Sequence, residues 1–317
     1  MSGTVRLAIR IGYLGDGYHG SQIQPDVKTV QGELQNAFIS RGWFDPDDAN
    51  QHLLFGSRTD AGVHVRVNGG IVTLQRSLWQ AVGERKMIRA IQDRLPDDIA
   101  ILNLCEVEDD WNPRLANHRT YRYRLEGIEG WSCDTEQEIE QFKQHLQLFV
   151  GTYDARNFAR LEEGKNPMRT ILSCSPWVVG GRVVGFEICG QAFLWRQVRR
   201  TANALFRLHL GEITEAQIRQ AISEPLIPAD FGVAPAEWLV LWNVEWPNLS
   251  PFVDQQRQHH FSKPPSLQQG VERTMRLRWE TSAKYEIKSM LTNEWAYLGK
   301  LDMPFNPGNA TTQQVAE

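Results

Sequence analysis

The sequence predicts an α+β protein in which two α+β units share a sheet, and three observations predict it. Apolar residues alternate with period two at Val5–Tyr13, Arg119–Leu125 and Trp238–Trp246, as strands require. Gly180-Gly181 lies between two apolar runs, a hairpin signal. Helical stripes intervene without the strict strand–helix–strand order of a doubly wound parallel sheet. At 317 residues the chain can bury a large core and suits two domains better than one.

The elements follow in order. Val5, Leu7, Ile9, Ile11 and Tyr13 point one way and Arg6, Ala8, Arg10 and Gly12 the other, which predicts a half-buried strand broken by Gly15-Asp16-Gly17. Val30, Leu34, Ala37 and Phe38 form a helical stripe that Thr29 can cap. A loop holding Arg58-Thr59-Asp60 precedes a second apolar stretch at 70–74, then one helix over 77–95 ended by Pro96. The second unit opens near Trp111. It holds a strand at Arg119–Leu125, a helix from about Thr135 to Phe149, and the hairpin of 171–179 with 182–189. A helix over 193–210 is stopped by Gly211, and the strand Trp238–Trp246 follows. These boundaries predict a domain over 1–108 carrying the Asp60 loop, a second over 109–247, and a partly irregular extension over 248–317. In that extension, 271–298 can hold a helix and 304–317 reads as disordered.

Composition narrows the function classes. Of the residues, 41% are hydrophobic and 23% charged, ordinary for a soluble globular protein. No apolar run is long enough to span a membrane, and the first residues lack a signal-peptide core. Four separated cysteines with no Cys-x-x-Cys pair argue for reduced thiols in the cytoplasm, against a zinc site or disulfide framework. The net charge of -4 does not itself suggest nucleic acid, but the charge is segregated. Four arginines and no acid lie between Ile188 and Gly211, which allows a basic cleft on an acidic protein.

Three residues stand out for chemistry. Asp60 alone would read as a turn-former. In Ser57-Arg58-Thr59-Asp60-Ala61-Gly62-Val63-His64 it is followed by small residues that leave the carboxylate approachable, and Arg58 points the same way. A metal reading of Asp60 with His64 is weak, because Gly62 argues against helical spacing there. Tyr121 sits in Arg119-Thr120-Tyr121-Arg122-Tyr123, aromatics interleaved with basic residues as a base-stacking surface requires, although one tyrosine can be structural. Arg199 is the third: with Arg196, Arg200 and Arg207 it forms one helical face without an acidic partner on that helix. They seek either a carboxylate such as Asp60 or phosphates. There is no Walker motif, no His-Glu-x-x-His and no Gly-x-Ser-x-Gly.

Taken in order, these segments resemble the tRNA pseudouridine synthase A family. Arg58 to His64 matches its Arg-Thr-Asp-Ala-Gly-Val-His throughout. Tyr18 to Gln24 is similar to its His-Gly-Trp-Gln-x-Gln, and Thr29 to Leu34 matches its Thr-Val-Gln-Gly-Glu-Leu. Arg119 to Tyr123, Arg169-Thr170-Ile171, Phe193 to Arg199 and Ala234-Pro235 also fit. Departures are Ser21 where Trp is usual, Gln197 where Met is common, and the basic Arg196; the residues after Pro247 have no counterpart in this resemblance. The resemblance implies two α+β domains of pseudouridine synthase type around a mainly antiparallel sheet with a basic cleft. It further implies isomerisation of uridine to pseudouridine in tRNA, in the anticodon stem-loop (positions 38 to 40), without metal or other cofactor. Asp60 would be the nucleophile, Arg199 the partner keeping it ionised, and Tyr121 the plate stacked on the uracil. Arg58 would fill the place of the extruded base, with Arg122, Arg196 and Arg200 as further RNA contacts. Family members are often homodimers. The alternative is an RNA-binding protein of the same fold without turnover.

Overall fold

A computed structural model describes residues 3–47, 52–252, 257, 259–265 and 272–300. Among the described residues, nine strands form one sheet: β1 (Thr4–Tyr13), β2 (Leu53–Phe55), β3 (His64–Gln75), β4 (Ile99–Glu106), β5 (His118–Tyr123), β6 (Gly151–Asp154), β7 (Met168–Val179), β8 (Arg182–Gly190) and β9 (Leu239–Glu245). Their order is β4-β1-β3-β9-β5-β8-β7-β6, with β2 paired to β3. The pairings are antiparallel except at the junction of the two halves, where β3 runs parallel to β9 through His64–Val240 and Val65–Leu241. This is the α+β architecture with a mainly antiparallel sheet that the sequence predicts.

The helices are α1 (Val30–Ser40), α2 (Arg76–Val82), α3 (Glu84–Gln92), α4 (Glu136–Gln147), α5 (Gln197–His209), α6 (Glu215–Ser223) and α7 (Glu272–Leu298). Among the described residues, no helix is long and apolar enough to cross a membrane. Local chemistry sets several boundaries. Thr29 Oγ1 accepts the Gly32 N–H at 3.2 Å to open α1, and Thr135 with Glu138 forms a reciprocal capping box on α4. Gly180 and Gly181 both have positive φ (58° and 79°), as a two-residue turn matched to the strand twist requires.

Three expectations need correction. The helix over 77–95 is two helices, because Gly83 takes a φ of 72° that breaks the α2–α3 run. The helix over 193–210 begins only at Gln197, after Arg196 in a left-handed conformation. Strand β1 is buried on both faces rather than one: Ala8 and Arg10 are as enclosed as Leu7 and Ile9. Its second face is covered by the extension. The Arg10 guanidinium lies over the Phe252 ring at 4.6 Å, and a Cβ at Gly12 would lie 2.0 Å from the Trp295 indole nitrogen of α7. The segment predicted as disordered, 304–317, lies outside the described residues.

The extension therefore covers the back of the sheet. Phe261 packs edge-on against Trp177 of β7 and under the Arg124 guanidinium. Arg124 also binds Glu286 of α7 at 2.8 Å. Among the strands, β4 and β6 went unrecognised in the sequence, as did β2 and helix α6.

Candidate active site

Asp60 stands in the loop between β2 and β3, and four hydrogen bonds fix that loop. The Thr59 N–H donates to Ser21 Oγ at 2.9 Å, while the Ser21 N–H donates to the Thr59 carbonyl at 3.2 Å. The Tyr13 hydroxyl meets Thr59 Oγ1 at 2.7 Å, and the Gly62 N–H donates to the Gly15 carbonyl at 3.3 Å. Gly20 permits the approach, since a Cβ there would come within 2.8 Å of the Thr59 carbonyl. Ser21 is thus half of a reciprocal clamp on the loop.

The carboxylate of Asp60 is held at both oxygens. Oδ2 accepts from Arg199 Nη1 at 2.9 Å, and Oδ1 accepts from the Trp195 indole N–H at 2.9 Å. Asp60 and Arg199 are 21% and 15% exposed, so the pair is partly desolvated yet reachable from outside. Arg199 is itself anchored, its Nε donating to the Ala234 carbonyl at 2.8 Å while the Ala234 N–H returns to the Arg199 carbonyl. Of the two partners the arginine face left open, a carboxylate or phosphates, Arg199 has the carboxylate.

Tyr121 and Tyr123 share a face of β5 and divide in role. The Tyr123 hydroxyl donates to the Pro235 carbonyl at 2.9 Å and the ring is fully buried, which is a structural tie. Tyr121 packs edge-on to Phe193, with ring centres 5.1 Å apart, and Asp60 is near enough for its charge to act on the phenol. Burial pushes the phenol up to about 12, with Arg119 pulling down and Asp60 pushing up by smaller amounts. It is a neutral phenol at physiological pH. Arg119 is also structural, with Nε donating to Ser57 Oγ and a second nitrogen to the Arg114 carbonyl.

The remaining arginines are placed unequally. Arg58 is 61% exposed and meets Glu162 at 3.2 Å. Arg200 pairs with Asp230 at 2.7 Å and Arg207 with Glu212 at 3.1 Å. Arg196 is not on the helical face predicted for it; it precedes α5 and lies 5.3 Å from the centre of the Trp195 ring. The structure does not bring Arg122 to the site. Alternation along β5 sends it to the opposite face, where it binds Glu187 at 2.7 Å and lies 3.8 Å over the Trp242 ring.

His64 belongs to the frame. It is fully buried, its Nδ1 accepts the Gly15 N–H at 3.1 Å, and burial lowers its imidazole to about 4. With that nitrogen occupied and Asp60 turned to Arg199, the two do not form a ligand pair. Trp195 is the site residue that sequence reasoning missed. Its sole signal was a tryptophan two residues after Phe193 in a basic segment, a pattern that equally describes core packing.

Comparisons with known proteins place the chain in a family. Residues 146–247 match the family model described as tRNA pseudouridine synthase. A tRNA pseudouridine synthase A from Thermococcus gammatolerans is 34% identical over 251 residues, which cover 77% of this chain and 86% of that protein. One from Methanocorpusculum labreanum is 32% identical, covering 76% and 79%. A third, from Thermococcus sibiricus, is 32% identical over 298 residues, covering 92% of this chain and 98% of its own. An overlap of that extent runs into the segment after Pro247, so the extension does have a counterpart among relatives. The chain belongs to the tRNA pseudouridine synthase A family.

Proposed function

We propose that this protein isomerises uridine to pseudouridine in tRNA, in the anticodon stem-loop, with Asp60 as the nucleophile. The observation that carries the reading is the Asp60 carboxylate, paired with Arg199 and partly open to the outside. The relatives' shared name, tRNA pseudouridine synthase A, supports the substrate.

In this mechanism the target uridine leaves its stack, at a cost on the order of a few kcal/mol. Asp60 attacks C1′, and the N1–C1′ bond breaks with its electron pair left on the uracil. The uracil turns over Tyr121 and C5 bonds to C1′, displacing the carboxylate. Loss of the C5 proton and protonation of N1 complete an isomerisation with no net gain or loss of atoms. The neutral phenol of Tyr121 suits stacking and proton donation rather than a resident phenolate base. Arg58 takes the place of the extruded base, and Arg196 and Arg200 meet phosphates. The Arg58–Glu162 and Arg200–Asp230 pairs are open to solvent on at least one side, so phosphate can displace the acids. The reading takes the enzyme to be a cytoplasmic homodimer; a monomer-sized gel-filtration peak carrying bound tRNA contradicts the dimer.

The test is an unmodified tRNA transcript incubated with the protein and with Asp60→Ala, then mapped by carbodiimide-blocked primer extension. A stop in the anticodon arm that vanishes with the variant is expected. A protein that binds the transcript but yields no stop on any tRNA favours the non-catalytic RNA binder.

A further inference from the structure

We propose that Trp195 is a positioning residue for the nucleophile: its indole N–H fixes the orientation of the Asp60 carboxylate. The inference rests on the role of Asp60 proposed above.

A carboxylate has about four lone-pair sites and turns readily about its last torsion. Attack on a carbon demands one orientation, and a misaligned group loses most of the benefit of proximity. Arg199 restrains Oδ2, but a single contact still lets the group swing. The second contact comes from Trp195, on the other oxygen at 2.9 Å. Each oxygen then keeps a free lone pair, and the plane of the group is set. Because the indole is neutral, it orients the carboxylate without adding the charge a second arginine would bring.

The indole is itself held. The Arg160 N–H donates to the Trp195 carbonyl at 2.8 Å in an isolated antiparallel bridge, and the Arg160 guanidinium covers the ring at 4.2 Å. The backbone then turns at Arg196, a non-glycine residue with a φ of 60°. That conformation is unfavourable for a residue with a side chain and persists where the surroundings impose it. Here it lets α5 start at Gln197 and present Arg199, while Trp195 stays off the helix and faces Asp60. Trp195 remains 38% exposed, with its N–H committed to the carboxylate.

The experiment compares wild type with Trp195→Phe, and with a protein whose Trp195 indole is replaced by benzothiophene, which keeps the bicyclic ring and loses only the N–H. Single-turnover rates on saturating tRNA are expected to fall about tenfold in both, with the tRNA Kd within about twofold of wild type. Separately, the Trp195 indole N–H resonance, identified by its absence in Trp195→Phe, should move when Asp60 is changed to Asn. A benzothiophene protein that turns over like wild type overturns the inference and leaves Asp60's role intact. Equal losses in rate and affinity also overturn it, making Trp195 an RNA contact. An Asp60→Ala protein that still forms pseudouridine ends the proposed role of Asp60 and this inference together.

Discussion

Glu294 of α7 holds Arg66 of β3 at 2.8 Å, with 2% and 1% of the two side chains exposed. The Arg66 guanidinium also lies over the Trp242 ring at 4.5 Å, and the neighbouring Trp295 indole donates to the Arg66 carbonyl. Removing one partner strands a buried charge, whereas replacing both with apolar residues is often neutral. Glu294→Ala is expected to lower the unfolding free energy by about 3–5 kcal/mol in urea titration. The double change Arg66→Met with Glu294→Met should recover most of it. Equal losses in both proteins would mean that packing, not charge, governs this contact.

Arg199 and Arg196 should separate catalysis from binding. Arg199→Ala removes the partner of Asp60, so the single-turnover rate should fall by ~10²–10³ with little change in tRNA affinity. Arg196→Ala should weaken binding and flatten its salt dependence by about one phosphate contact while the saturated rate holds. Matching effects of the two variants on rate and on Kd would dissolve the distinction.

The two tyrosines of β5 should respond in opposite ways. Tyr123→Phe strands the buried Pro235 carbonyl and should cost about 1–3 kcal/mol of stability with near-normal turnover. Tyr121→Phe keeps the ring against Phe193, so stability should hold while turnover drops by about 10² or more. Thermal melts and single-turnover assays on both proteins decide this.

His64 makes the fold sensitive to acid. Burial holds its imidazole at about 4 against 6.5 for a free one, so the unfolded chain takes up a proton that the folded chain refuses. Stability is full above the unfolded value, falls as pH drops below it, and keeps falling until the folded site titrates. By about pH 5 the loss from this group is ~2 kcal/mol. His64→Gln retains an acceptor for the Gly15 N–H, so its urea midpoints at about pH 7 and pH 5 should lie closer together than those of wild type.

Much of this was legible because the signals are local. The Thr29 cap, the Gly180-Gly181 turn and the helix over 271–298 depend on neighbours in sequence, and a pairing of Arg199 with a carboxylate such as Asp60 was one of two partners its helix allowed. What was not legible depends on distant parts of the chain. Gly12 reads as the polar side of a strand until Trp295 is laid on it. A glycine inside a helical stretch costs only about 1 kcal/mol, so Gly83 gave no firm break. The turn at Arg196 has no sequence mark at all, because the residue there is not one that adopts it readily.

The cover on the back of the sheet also imposes an order in time. Strands β1 and β3 leave the ribosome long before α7 has been made, so the growing chain carries an open face at Gly12 and a bare guanidinium at Arg66. The Asp60 loop joins β2 to β3, and β3 is backed by that late helix. The half that carries the Asp60 loop is translated ahead of α7, so its rear wall is finished only when that helix has emerged.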